Sequence, residues 1–452
     1  MPATFRLLAT LVLSTSALSV LASEPARPPI VVFLADDLGW AECSPYGGGL
    51  PTPNMARLAA DGMTFTHAFV ASPTCAPSRG ALLTGLAPAR NGAMLNHSRP
   101  RAGLKTWPDY FHDLGYEVVA IGKTAHYRQV TTYGFDYATH YKYHEDDCLE
   151  AALDWLSRRR SETSDRPLCL LVGTNWSHVP WPEAEGPPVR SLPPHLVDTP
   201  ATRRAWRRYA TAVARADRGL GLVYDAARKF LGPDVFFLFS ADHGAQFPFA
   251  KWNLYDVGIR APMIVAWPGR IAPGSTSDAF VSWLDVLPTC LEAAGGATPE
   301  GIDGRSFLDV ALGRTAALRE RIFTTHSGDG DMNRYPIRSV RDRRWKYIRN
   351  LDPGAEHHTH VDRANPDDGR SYWDSWVEAA KTDPVAAAVV DRYLHRPAEE
   401  LYDLKADPWE LTNLADDPAR AETLAKLRGE LDAWMKAQGD EGLATERALP
   451  KP

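Results

Sequence analysis

A chain of 452 residues, 44% hydrophobic and 23% charged, is long enough for one large domain or a large and a small one around a sizeable core. Its net charge of −6, with histidine neutral, excludes bulk electrostatic binding to nucleic acid or to an anionic membrane surface. An anionic substrate would have to be drawn in by a local pocket.

Residues 1–22 read as a signal peptide. Arg6 supplies the positive start, an apolar run follows, and Val20-Leu21-Ala22 is a small-residue cleavage site. The run is short for a membrane span and is interrupted by Ser and Thr, and no later segment is long and apolar enough to span. The mature protein is expected in the periplasm or outside the cell. Five cysteines, Cys43, Cys75, Cys148, Cys169 and Cys290, are an odd count for an exported protein and point to one special thiol. The other four allow up to two disulfides, with Cys169 expected to be a buried free thiol in an apolar run.

Residues 30–34 form a short β-branched run, the pattern of a buried parallel strand, and end in Asp36-Asp37. Residues 53–62 read as a helix closed by Gly62. In residues 72–85, Pro77 suits a first helical turn and Gly85 a helix stop, so Cys75 is expected at or just before a helix N-terminus, at a surface-facing site. Such an end favours an anion, and Arg79 projects from the same end. A helix over 107–114 precedes a strand over 117–121, which leads to Gly122-Lys123 and His126. Residues 148–160 read as a helix ending in three arginines, 168–172 as a strand leading to His178, and 180–200 as a proline-rich loop. A long helix over 201–230 precedes a strand over 235–239 that ends near Asp242-His243, and 262–267 is a further strand.

Strands alternating with helices predict an α/β domain with a large, mainly parallel sheet flanked by helices. In such sheets the site lies beyond the carboxyl ends of the strands. Four apolar runs each lead there to ionisable residues: Asp36 and Asp37; Lys123 and His126; His178; Asp242 and His243. After about residue 315, strands within 338–347 and 400–404 and an amphipathic helix over 419–438 predict a smaller α+β domain with an antiparallel sheet. The expected division is therefore 23–315 and 316–452. The two acidic clusters, with one imidazole, suit Ca²⁺ or Mg²⁺; paired acids after a strand also read as helix caps.

Cys75-Ala-Pro-Ser-Arg79, followed by Leu83-Thr84-Gly85, resembles the signature of type I sulfatases of the alkaline phosphatase superfamily. The resemblance extends from about residue 28 to 437. It implies that a formylglycine-generating enzyme oxidises Cys75 to Cα-formylglycine. A thiol attacking sulfur would leave a stable thiosulfate, whereas the hydrated aldehyde expels sulfate by collapsing back. It implies a calcium site, with Mg²⁺ as the alternative, built from Asp36, Asp37, Asp242, His243 and the formylglycine oxygen of residue 75. Arg79 would orient the formylglycine, Lys123 and Lys251 would hold sulfate, and His178 would protonate the leaving group. His126 would serve the hydrated aldehyde, although it stands three residues after the lysine where the family has two. Trp181 replaces a family histidine and is expected as a sugar-facing surface.

Phe247-Pro248, Lys251 and Asn253-Leu-Tyr255 resemble heparan N-sulfatases (N-sulfoglucosamine sulfohydrolases), which carry arginine at the lysine position, and residues 326–331 and 335–340 resemble their C-terminal segment. His326 and Arg338 would then meet a sugar carboxylate or a second sulfate; the plainer reading is a surface hairpin of the small domain. The implied substrate is a sulfated oligosaccharide or glycosaminoglycan, cleaved at an ester or a sulfamate. Two alternatives stay open: a phosphodiesterase or phosphonate monoester hydrolase of the same superfamily, and a non-catalytic glycan-binding protein with unmodified Cys75.

Overall fold

Uninterrupted runs of Val, Ile, Leu and Phe bury both faces of a strand, and here they make the centre of the large sheet. The computed structural model describes residues 27–141, 146–159, 165–185 and 191–449; the signal-peptide reading at 1–22 lies outside the described residues. The first ten strands are β1 (Ile30–Ala35), β2 (Met63–Phe65), β3 (Ala68–Phe69), β4 (Glu117–Gly122), β5 (Tyr137–Thr139), β6 (Leu168–Gly173), β7 (Phe236–Ala241), β8 (Met263–Ala266), β9 (Ser275–Ser277) and β10 (Val281–Ser282). Eight of them form one sheet in the order β5-β4-β6-β1-β7-β8-β2-β9, while β3 and β10 pair separately. Strands β5 to β7 run parallel, and every residue of β1, β6 and β7 is buried.

The strand read at 262–267 is β8, but it runs antiparallel to β7, and β2 runs antiparallel to β8. The β7–β8 connection carries only a four-residue helix, Asp256–Ile259, too short to return the chain to the other end of the sheet. The chain stays at the carboxyl edge and turns back, which leaves residues 242–262 lying over that edge.

Helix Pro200–Leu231 packs against helices Asp147–Arg159 and Pro53–Asp61 on one face of the sheet. Pro200 opens it, and the Thr199 side chain accepts from Thr202 N–H. Among the described residues no helix is long and apolar enough to cross a membrane. All five cysteines are buried and free, so neither allowed disulfide forms; Cys169 accepts a hydrogen bond from Trp107 Nε1 at 3.2 Å.

A second, antiparallel sheet follows in the order β11 (Ile322–His326), β12 (Ile337–Arg341), β13 (Trp345–Asn350) and β14 (Glu399–Asp403). Helix Ala421–Gln438 lays Leu424, Leu427, Leu431 and Met435 onto Val340, Tyr347 and Leu401, the helical spacing that the sequence displays. Strand β11 and helices Arg370–Ala379 and Pro384–Leu394 escaped the sequence reading. The small sheet touches the large domain where it matters, because Thr325 N–H donates to Ala71 C=O just ahead of Cys75.

Candidate active site

Strands β4, β6, β1 and β7 are neighbours in the sheet, so the residues that follow them converge. Asp36 and Asp37 follow β1, Lys123 follows β4, His178 follows β6, and Asp242 and His243 follow β7. Two glycines set the end of β4 against β6. A side chain on Gly122 (φ 79) would meet Gly173 C=O, and one on Gly173 would meet Lys123 C=O. Cys75 opens helix Cys75–Thr84, with Thr74 extended before it and Gly85 left-handed (φ 67) after it. Asn96 Oδ1 accepts the free Ala76 N–H at 3.0 Å, which caps that helix. Five of the six non-glycine residues with positive φ among those described, Asp37, His97, Tyr127, Phe249 and Trp252, lie in the loops of this edge. Backbone strain collects at functional sites in this manner.

The Cys75 Sγ lies 3.3 Å from His243 Nε2, 3.7 Å from Lys123 Nζ and 4.0 Å from Asp36 Oδ1. Contrary to the surface-facing expectation, Cys75 is only 2% exposed. Arg79 is fully buried beneath it. Its Nε donates to Asp242 Oδ2 at 3.0 Å, its Nη2 to Asp36 Oδ1 at 3.1 Å, and its Nη1 to Lys123 C=O. Lys123 Nζ lies 2.5 Å from Asp36 Oδ2, and Lys251 Nζ lies 2.8 Å from Asp37 Oδ2 and 3.3 Å from Gln246 Oε1. Asp37 N–H donates to Asp242 Oδ1 at 3.0 Å.

Two histidines have their tautomers set by backbone carbonyls. His243 Nδ1 lies 3.0 Å from Gly244 C=O and His178 Nδ1 2.5 Å from Val179 C=O, so each donates from Nδ1 and turns Nε2 to the site. His243 Nε2 stands 3.5 Å from both Asp37 Oδ1 and Asp242 Oδ2, and His178 Nε2 stands 3.9 Å from Asp37 Oδ2.

Three buried carboxylates thus face three buried cations, and the pocket is near neutrality before any ligand enters. Burial works against the Asp36 charge, but Lys123, His178 and Arg79 hold its carboxyl well below the usual carboxylate range. Burial pushes Asp242 up, with Arg79 and His243 opposing. Burial opposes the charge of Lys123 and Lys251 as well, yet Asp36 and Asp37 respectively keep both ammonium groups raised. Burial, then Lys251 and Lys123, push His178 well down. Burial pushes the Cys75 thiol up, so unmodified Cys75 is no thiolate at neutral pH.

The residues present fit a hard divalent cation. One ligand atom from each of Asp37, Cys75, Asp242 and His243 can be chosen so that all lie within 4.8 Å of one another. Asp37 Oδ1 is buried and accepts no hydrogen bond, and the bare His243 Nε2 faces it. A buried carboxylate oxygen left without a donor is suited to a metal ion.

Four expectations need correction or relocation. Trp181 is not a sugar-facing surface: it is 4% exposed and stacks on Phe247 at 5.0 Å between centroids. Arg338 has no group left for a glycan. It is fully buried, with Nε 2.5 Å from Asp440 Oδ2, Nη2 2.6 Å from Glu446 Oε1, and Nη1 on the His326 and Ile337 carbonyls. His326 is buried too, its Nε2 2.8 Å from Asn333 Oδ1 and its Nδ1 3.5 Å from Thr74 Oγ1, so it props the residue before Cys75. Burial lowers its pKa to about 4. His126 makes no hydrogen bond to Cys75; its Nε2 lies 2.8 Å from His97 Nδ1. Sequence reasoning missed Asn96, His97, Gln246 and Asp329, single polar residues in loops with no periodicity or motif to single them out.

A protein-family model for sulfatases matches residues 28–297, more than half of the chain. The chain belongs to the sulfatase family. A second model, for the N-sulphoglucosamine sulphohydrolase C-terminal region, matches residues 243–380 of this sulfatase. An ulvan-active sulfatase of Formosa agariphila is 30% identical to it over 438 residues, covering 92% of this chain and 81% of its own. Human N-sulphoglucosamine sulphohydrolase is 28% identical over 484 residues, covering 94% and 95%. The solved structure of a protein with its substrate D-glucosamine-2-N,6-O-disulfate superposes with a TM-score of 0.69 at 18% identity, over 92% of this chain and 99% of that one. That of a protein holding a neocarrahexaose superposes with a TM-score of 0.64 at 20% identity, over 90% and 92%. At those identities the likeness to the solved structures shows the fold.

Proposed function

We propose that this sulfatase is exported and removes sulfate from a sulfated carbohydrate, after Cys75 has matured to Cα-formylglycine. The observation that carries the reading is Cys75 itself. A raised, buried thiol is a poor nucleophile, yet it sits at a helix N-terminus with His243 at 3.3 Å and Lys123 at 3.7 Å inside a ring of carboxylates and cations. A structural cysteine has no use for such surroundings. An ulvan-active sulfatase and an N-sulphoglucosamine sulphohydrolase among the relatives support a carbohydrate substrate.

Formylglycine supplies a hydrated aldehyde whose hydroxyl attacks sulfur and whose collapse frees sulfate. Asp36, Asp37, Asp242 and His243 would hold a Ca²⁺ ion, which would supply Lewis-acid polarisation of a sulfate oxygen and offset developing charge. With a divalent ion added to a near-neutral pocket, the site carries a positive surplus that attracts a sulfate monoanion. Lys123 and Lys251 stand on either side, anchored by Asp36 and Asp37, and bind its oxygens. Arg79 is locked by Asp36 and Asp242 and keeps the helix end in register with the carboxylates. His178 gives a proton from Nε2 to the leaving atom. Burial, then Lys251 and Lys123, hold it neutral, and a bound sulfate offsets the part due to the two lysines, so substrate binding shifts the ring towards its protonated form.

The test is a desulfation screen on defined heparin, chondroitin and ulvan fragments, using protein co-produced with a formylglycine-generating enzyme. Mass spectrometry of the peptide containing residue 75 is run alongside. Desulfation that tracks the formylglycine fraction supports the reading; full activity from an intact thiol refutes it.

A further inference from the structure

One carboxylate of the small domain fastens two loops of the large one beside residue 75. Asp329 lies in the connection between β11 and β12. Its N–H donates to Asn333 C=O at 2.7 Å, and Asn96 N–H donates to Gly328 C=O at 2.9 Å, which lays this connection against the large domain. Asp329 is buried, and its Oδ2 accepts Asn96 Nδ2–H and Trp252 Nε1–H, both at 2.8 Å. Its Oδ1 lies 3.3 Å from His97 Nε2. Burial opposes its charge, yet His97, His360 and Trp252 hold its carboxyl well below the usual carboxylate range.

The two donors lead to different parts of the site. Thr74, at the N-cap of helix Cys75–Thr84, makes no side-chain capping hydrogen bond, and Pro77 has no N–H to offer. Ser78 N–H returns to Thr74 C=O. The cap is therefore the Asn96 amide, whose Oδ1 accepts Ala76 N–H at 3.0 Å. An amide has a donor end and an acceptor end. A carboxylate only accepts, so Asp329 draws Nδ2 towards itself and leaves Oδ1 for the helix. Trp252 holds a left-handed backbone (φ 66), its N–H donates to Pro73 C=O at 2.9 Å, and its ring centre lies 4.9 Å from Lys251 Nζ. Such a backbone persists only where its surroundings over-determine it, and Asp329 ties the far end of that indole. One oxygen thus sets both the helix that presents residue 75 and the turn that presents Lys251.

We propose that Asp329 is a positioning residue of the sulfatase reaction, acting through Asn96 and Trp252 to hold residue 75 and Lys251 in register. The proposal rests on the sulfatase reading above. Residue 75 and Lys251 stand on separate loops of the large domain, and a misplacement of about 1 Å between reacting groups costs about 10²-fold in rate. The tie that sets their spacing comes from the small domain. The antiparallel sheet therefore takes part in the chemistry through this carboxylate, and the active edge is complete only with that sheet docked.

The test exchanges the pair. Asn96→Asp sets a second carboxylate against Asp329, so in matured enzyme kcat on an aryl sulfate should fall about 10- to 100-fold. Adding Asp329→Asn should restore most of that loss. The carboxylate at position 96 then accepts from Ala76 N–H and from the amide at 329, whose oxygen still accepts Trp252 Nε1–H. Calcium affinity, read by calorimetry, should be the same in all three proteins, which separates a shift in register from collapse of the metal site. A role in overall stability alone would move the unfolding midpoint and leave the kcat of folded enzyme untouched. Should Asn96→Asp fail to fold, Trp252→Phe removes the other donor and keeps a ring; its loss and that of Asp329→Asn should combine to less than their product. In ¹⁵N spectra of the unmodified protein, Asp329→Leu should shift the Ala76 amide as well as the Trp252 indole, because Asn96 relays the change. Wild-type kcat in Asn96→Asp, an exchanged pair no better than the single change, losses that multiply in full, or an unmoved Ala76 amide overturns the proposal. The expected Ala76 shift in a protein whose matured wild type desulfates nothing would sink the sulfatase reading instead.

Discussion

Replacing Lys251 by methionine keeps the length of the side chain and removes its charge. Its ammonium lies 2.8 Å from Asp37 Oδ2, and both groups are buried. Breaking a buried pair from one side costs about 3–5 kcal/mol, because the remaining charge is left without compensation. At about 2 °C per kcal/mol for a chain of this size, the unfolding midpoint in EDTA should fall by roughly 6–10 °C. A divalent ion held by Asp37 offers that carboxylate another counter-charge, so the deficit should shrink to less than half in millimolar calcium. On an aryl sulfate, kcat/KM should fall about 10²- to 10³-fold in either case, the usual loss for one preorganised donor. Thermal unfolding of wild type and K251M with and without calcium reads the first effect, and steady-state kinetics the second. An equal midpoint loss under both conditions would refute the reasoning, because it would mean that lysine and ion do not share Asp37.

Cys75→Ala should abolish sulfatase turnover while moving stability by only about 1 kcal/mol, since the side chain sits among polar groups outside the apolar core; residual wild-type activity would count against the formylglycine assignment. His178→Ala should cost about 10²- to 10⁴-fold on a sugar sulfate, whose alkoxide needs a proton, and far less on nitrophenyl sulfate; equal losses on both would remove His178 as the acid. Glu42 has a buried Oε2 without a partner, and burial raises its pKa from 4.5 to about 7. An acid whose native pKa exceeds the unfolded one stabilises fully below about pH 4.5 and loses that contribution as pH rises through about 7. Glu42→Gln should therefore raise stability relative to wild type by about 2–3 kcal/mol more at pH 8 than at pH 4. Denaturant titrations at the two pH values check this, and a gain that does not depend on pH would contradict it.

Much of the site was legible because its residues sit where local rules speak. A buried parallel strand has a plain signature, and the first ionisable residues after four such strands are Asp36, Lys123, His178 and Asp242. Cys75 and Gly85 announce the two ends of one helix. The parts that stayed hidden have no local signature. Trp181 looks like a glycan platform until Phe247 and Tyr209 are seen packed against it. Arg338 looks like an anion ligand until Asp440 and Glu446, more than 100 residues on, are found on its guanidinium.

What this chain determined by itself was the order of its strands and helices, the edge where chemistry gathers, and the residue types offered there, since burial patterns and helix ends depend on neighbours a few positions away. Only the tertiary structure decided which charges meet. It turned β8 back on the sheet, set Lys251 on Asp37 and Arg79 between two aspartates, and hung His126 on His97 and Asp329. Those pairings join residues up to about 230 positions apart, and Coulomb's law and hydrogen bonding act through space over a few ångströms, without regard to distance along the chain.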